Sequence, residues 1–155
     1  MPRSVRAGPD GDTLAPVGAR PRVFSYAASV DEAGQTAAEA GRPLELGDDW
    51  SPEHLTLAAL VRCTLTSLRH HARRVGIDVV AASGKATGTV TRREEDGRYA
   101  FVDIAVETDA QLDPAPADLG ELLARAERDC FIGASLTAKP SYAWRINGNR
   151  IASAA

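Results

Sequence analysis

The chain has 155 residues, a net charge of −3 at pH 7 and a pI near 5.6. That length favours one domain with its own core, because folding at this size buries roughly two-thirds of the chain's surface. The charge gives no broad basic surface for tracking phosphates, which argues against nucleic acid as a partner.

Residues 1–20 mix Pro, Gly, Arg and Asp without either hydrophobic period, the composition of a disordered arm. The opening stretch lacks the apolar core of a signal peptide, and no apolar run approaches the ~20 residues of a membrane span. The expectation is a soluble cytoplasmic protein with no membrane partner. Residues 22–30 and 35–40 read as short strands joined at Asp31-Glu32-Ala33-Gly34, with an extended continuation before Pro43.

Residues 51–75 form the strongest local pattern. Ser51 suits the N-cap, Pro52 the first helical position and Glu53 the first turn. Leu57, Leu60, Val61, Thr64, Leu65, Leu68 and Ala72 then recur at three- and four-residue steps and trace one buried stripe. Arg69, His70, His71, Arg73 and Arg74 crowd the end, and Gly76 supplies the stop. Such a helix, about 36 Å long, exceeds what one small sheet needs as cover, so part of it is expected against a second subunit.

Beyond Gly76, residues 77–82 and 85–92 are β-prone and connect through Glu94-Glu95-Asp96-Gly97 to a strand over 99–107. In that strand Val102, Ile104 and Val106 define the buried face. Asp113-Pro114 breaks the strand. Leu119, Leu122, Leu123 and Ala126 then mark a second helix ending near Asp129, residues 130–138 a third, and Tyr142, Trp144 and Ile146 a closing strand. The order separates strands from helices, so the class is α+β with a largely antiparallel sheet. One domain over 21–148 and a tail over 149–155 follow.

Cys63 and Cys130 are the two thiols. In a reducing compartment they are either ordinary buried residues or a redox pair. Cys63 lies mid-helix, away from the dipole end, and Arg62 points about 100° away from it around the helix. Cys130 at a helix start would be acidified by the dipole, opposed by Asp129 and Glu127. His54, His70 and His71 lack metal-ligand spacing and read as surface histidines at the helix ends, so neither metal nor cofactor is expected.

Ser51-Pro-Glu-His-Leu through Arg62-Cys63-Thr64 resembles the Asn-Pro-Glu-x-Leu…Ala-Ala-Cys helix of the OsmC/Ohr family, the osmotically inducible and organic-hydroperoxide-resistance proteins. Ala126-Glu127-Arg128-Asp129-Cys130, leading into residues 131–136, is similar to the family's second cysteine motif, and the likeness covers about residues 22–148. It implies an OsmC-like fold: an intertwined homodimer with antiparallel sheets packed on a long central helix and active sites at the interface. It further implies that Cys63 attacks an organic or fatty-acid hydroperoxide, that Cys130 resolves the sulfenic acid as a disulfide, and that an external dithiol reduces it. Glu53 stands where the family's arginine-holding carboxylate stands, and Arg42, with Arg22 behind it, is the candidate arginine. Glu53 and Cys63 are ten residues apart, hence about 15 Å along one helix and about 80° around it. Either a long arginine spans them or the glutamate serves the partner's cysteine. Three departures accompany the likeness: Arg62 in place of a small residue, Phe131 in place of a proline, and a shortened glycine loop at Gly47-Asp48-Asp49-Trp50. The alternative reading is a catalytically inactive dimer of this fold that binds an apolar small molecule at its interface.

Overall fold

The computed structural model describes residues 21–39 and 41–151, so the expected arm and the last four residues of the expected tail lie outside the described residues. The chain divides into two units, Met1–Leu46 and Gly47–Ala155.

In the first unit, β1 (Ala28–Val30) and β2 (Thr36–Ala38) pair antiparallel. Asp31 makes the turn: its Oδ1 accepts from the N–H groups of Ala33 at 3.0 Å and Gln35 at 2.8 Å, and Gly34 takes a φ of 80°. Both strands are shorter than their composition suggested. Alanine and serine faces bury little in a two-stranded ribbon, which leaves little packing to extend the ladder.

The second unit opens with α1 (Pro52–Arg74). Ser51 Oγ accepts from His54 N–H at 3.3 Å, and His54 Nδ1 accepts from Ser51 N–H at 3.1 Å. This reciprocal box is closed by a histidine where glutamate or glutamine is usual. At the far end Gly76, with a φ of 76°, donates to Arg73 O, and Ile77 donates to Ala72 O at 2.9 Å. These two bonds satisfy the last carbonyls in a Schellman arrangement that an L side chain at residue 76 would strain.

A four-stranded sheet follows, in the order β3 (Asp78–Arg92), β4 (Tyr99–Asp113), β5 (Ser141–Ile146), β6 (Asn149–Ile151). The β3–β4 and β5–β6 pairs are antiparallel and the β4–β5 pair is parallel, because helices occupy the connection between β4 and β5. Three expectations change here. The two runs expected over residues 77–82 and 85–92 are joined in one strand from Asp78 to Arg92, since Gly84 is a point of close approach and not a break. A Cβ there would meet Val61 Cγ1 at 2.9 Å and Glu107 O at 3.0 Å. β4 runs on past Glu107, its buried face continuing through Thr108, Ala110 and Leu112, while Val102 is 42% exposed and lies outside that face. The strand β6 occupies the first residues of the stretch expected as a tail. Asn147 and Gly148, with φ of 50° and 80°, form the two-residue hairpin that turns it back onto β5.

Between β4 and β5 stand α2 (Leu119–Arg128), capped by Asp118, and α3 (Phe131–Ser135), capped by Cys130. The third helix stops earlier than expected because Leu136 turns to an extended conformation. Two clusters form the core on the helix side of the sheet. In one, Leu68 and Ala72 of α1 meet Leu122, Leu123 and Ala126 of α2 over Ala110, Leu112, Trp144 and Ile146. In the other, Leu60, Ile104, Val106 and Cys130 are buried together, with Cys63, Ile132 and Tyr142 packed against them. The α+β class stands, and no helix among the described residues is long and apolar enough to cross a membrane.

Candidate active site

The stripe that buries α1 also aims its middle turns at the α2–α3 junction. Thr64 and Leu60 point inward and are fully buried, which leaves Cys63 on the flank of the stripe, half-exposed. Cys130 arrives from the other side. It follows the last turn of α2, where Asp129 is the C-cap, and it begins α3, where its Sγ accepts from the Gly133 N–H at 3.3 Å. The thiols therefore meet although the chain separates them by a hairpin and a helix. Both are free, and Cys63 packs against the buried cluster that holds Cys130.

Burial pushes the Cys63 thiol up, and the facing Cys130 sulfur pushes it further. The backbone N–H groups of Ile132 and Phe131 act the other way, since a donor favours the thiolate. No cation is among these leading influences. Cys130 is fully buried, so a reagent from solution meets Cys63 first.

Two hydroxyls border Cys130. Thr64 Oγ1 lies 3.6 Å from its sulfur and 2.9 Å from the Leu60 carbonyl. Tyr142 of β5 supplies the other, and its phenol is pushed up to about 12, first by burial and then by the nearby Cys130. A Cβ on Gly133 would meet Tyr142 Oη at 2.8 Å and Cys130 Sγ at 3.5 Å, so glycine is what lets the phenol sit beside the thiol. Sequence reasoning missed this role for Thr64, Gly133 and Tyr142. Thr64 belonged to the helical stripe and Tyr142 to an alternating strand, and neither pattern carries a sign of the hydroxyl contact.

Further anchors fix the junction from outside. Arg128 holds Asp129 through two bonds, at 2.7 and 2.9 Å, and Trp144 Nε1 donates to Glu127 Oε1 at 2.7 Å. His71, expected on the surface, is buried; its Nε2 lies 2.9 Å from Asp129 Oδ2 without the alignment of a hydrogen bond. It sits on the same face of α1 as Leu68 and Ala72, which the count along a helix places over the core.

Of the remaining expected residues, Glu53 does not reach Cys63 along its own helix. Glu53 is exposed in the first turn of α1, its carboxyl lowered by the Ser51 hydroxyl, two to three turns from the thiol. Arg42 is exposed and belongs to the first unit. Two clefts, of about 510 and 550 Å³, are lined by other residues: Lys85, Glu107 and Arg145 among those of one, His71, Pro114 and Arg125 among those of the other. Among the described residues no cluster of His, Cys, Asp and Glu fits a metal ion.

The family model for OsmC-like proteins matches residues 45–145. No curated protein sequence matches the chain. Among solved structures it resembles an OsmC-like protein of unknown function from Vibrio cholerae, at 13% identity and a TM-score of 0.64, over 80% of this chain and 99% of that one. It also resembles the organic hydroperoxide resistance protein OsmC of Legionella pneumophila, at 19% identity and a TM-score of 0.56, over 81% and 98% of the two chains. The organic hydroperoxide resistance protein of Bacillus subtilis matches at 17% identity and a TM-score of 0.52, over 80% and 98%.

Proposed function

The chain belongs to the OsmC-like protein family, and from that membership we propose that it is a thiol-dependent peroxidase that reduces organic hydroperoxides to alcohols. The observation that carries the reading is the meeting of Cys63 and Cys130 across α1 and the α2–α3 junction, one half-exposed and the other buried behind it. Two similar structures named as organic hydroperoxide resistance proteins support the same direction.

In this reading the Cys63 thiolate attacks the terminal oxygen of the hydroperoxide. An S–O bond forms, the O–O bond breaks, and the leaving alkoxide takes a proton to become the alcohol. The Cys130 sulfur then attacks the Cys63 sulfenic acid. The S–S bond forms, the S–O bond breaks, and hydroxide leaves with the thiol proton as water. An external dithiol reduces the disulfide. The peroxide's alkyl group would meet the apolar residues that pack, with Cys63, against the same cluster, Ile132 among them.

Burial, with the Cys130 sulfur behind it, holds Cys63 in its less reactive form, so the reading requires a cation. We assign that role to Arg42, held by Glu53. Since Glu53 cannot reach the thiol of its own helix, the partner subunit's Glu53 would serve it in a cytoplasmic homodimer whose long helices cross. The second reading is an inactive OsmC-like dimer that binds an apolar small molecule at its interface. The elevated Cys63 thiol, with no cation among its leading influences, favours that alternative.

Free thiols counted after mixing the reduced protein with cumene hydroperoxide or linoleic hydroperoxide separate the two. Loss of both thiols with alcohol formation is expected. No thiol loss, or full turnover by Cys63→Ser, would overturn the peroxidase reading, whereas full turnover by Cys130→Ser would remove only the resolving role.

A further inference from the structure

The fully buried Thr64 hydroxyl has one hydrogen and two acceptors within reach, the Leu60 carbonyl at 2.9 Å and the Cys130 sulfur at 3.6 Å. The Leu60 carbonyl already receives a backbone N–H, as every interior helix carbonyl does, so it does not need the hydroxyl. The sulfur is different: as it gains negative charge it becomes the stronger acceptor. Tyr142 Oη lies on the same side, over Gly133 and beside the sulfur, and a protonated phenol placed there can turn its hydrogen toward Thr64 Oγ1 and leave the threonine hydrogen to the sulfur. The sulfur's second donor, the Gly133 N–H, is fixed by the backbone at 3.3 Å.

We propose that Thr64 and Tyr142 are positioning residues for Cys130: Tyr142 donates to Thr64 Oγ1, and Thr64 turns its hydrogen onto the Cys130 sulfur as that sulfur attacks oxidised Cys63. The inference rests on the peroxidase reading for the identity of its natural oxidant, but the closing of the disulfide is a property of the two thiols. In that step the Cys130–Cys63 S–S bond forms, the bond from Cys63 to its leaving group breaks, and the Cys130 proton departs with that group. Holding the Cys130 sulfur by these two donors keeps its remaining lone pair directed at Cys63, and the Thr64 hydrogen steadies the charge that develops before the new bond is complete.

The test follows disulfide closure in the full chain by two oxidants, cumene hydroperoxide and diamide, with dimedone to trap any Cys63 sulfenic acid. Thr64→Val and Tyr142→Phe remove one hydroxyl each with little change of shape. Each is expected to slow closure by about tenfold with either oxidant, and to let the dimedone adduct of Cys63 accumulate after hydroperoxide, while Thr64→Ser closes at the parent rate. Closure at the parent rate in both Thr64→Val and Tyr142→Phe would overturn the proposal, as would equal slowing in Thr64→Ser. If Thr64→Val does not fold, Tyr142→Phe decides by the same criterion. A parent protein that closes with diamide and ignores hydroperoxide would defeat the peroxidase reading and leave this inference to be judged on the diamide arm.

Discussion

His71 Nε2 lies 2.9 Å from Asp129 Oδ2, so the last turns of α1 rest on the residue immediately before Cys130. The imidazole is held low, first by burial and then by His70 and Arg125, while Asp129 opposes that shift; the Asp129 carboxyl is held low, first by Arg128. Contacts of this kind couple the helix that carries one thiol to the cap that carries the other.

A lowered histidine means that the folded state binds fewer protons than the unfolded chain as pH falls below about 6.5. Stability is therefore expected to fall from pH 7.5 to pH 5.5. The Asp129 contribution, present above the unfolded carboxylate range, is lost only at lower pH. Thermal unfolding should show a drop in Tm of a few degrees across this window, and His71→Gln should flatten it. An unchanged slope in the variant would count against the burial of His71 as the cause.

The Cys63 thiol, pushed up by burial and by the Cys130 sulfur, ionises late unless a cation attends it. Alkylation of Cys63 by bromobimane, read by mass spectrometry, should level off at lower pH in the parent than in Arg42→Ala or Glu53→Gln. Those variants should still be climbing between pH 7 and 9, as a thiol raised by burial does. Identical profiles in all three proteins would remove Arg42 and Glu53 from the site.

Gly84 faces Val61 Cγ1 and the Glu107 carbonyl, a side chain and a backbone atom with little room to retreat. Gly84→Ala is expected to destabilise the fold by about 1–3 kcal/mol in urea unfolding. In Gly120→Ala the new Cβ would meet only Asp118 Oδ1, at 3.5 Å, and the helix gains a better former. That variant should be neutral or stabilising. The reverse order would contradict the close approach of α1 to β3.

Ser51 completes a reciprocal cap with His54 at the start of α1. Ser51→Ala should cost about 1 kcal/mol in the same measurement. Ser51→Asp should recover most of it, and a full-sized loss in that variant would argue against the cap as the source.

Much of this molecule is written in local patterns. The stop at Gly76, the α1 stripe and the Asp96-Gly97 hairpin are all carried by residues a few positions apart, where helix period and turn chemistry act directly. Asn147-Gly148 is a turn signal of the same kind, and reading residues 149–155 as a tail passed it over. Composition likewise marked Cys63 and Cys130 as the residues able to carry redox chemistry. Their meeting, the seating of Tyr142 over Gly133 and the burial of His71 beside Asp129 join residues dozens of positions apart. No period in the chain encodes such distances; they follow from how α1 packs over the sheet and the α2–α3 junction. Whether Gly84 breaks a strand or admits a helix is settled the same way, since the answer depends on what lies across from it and not on its neighbours in the chain.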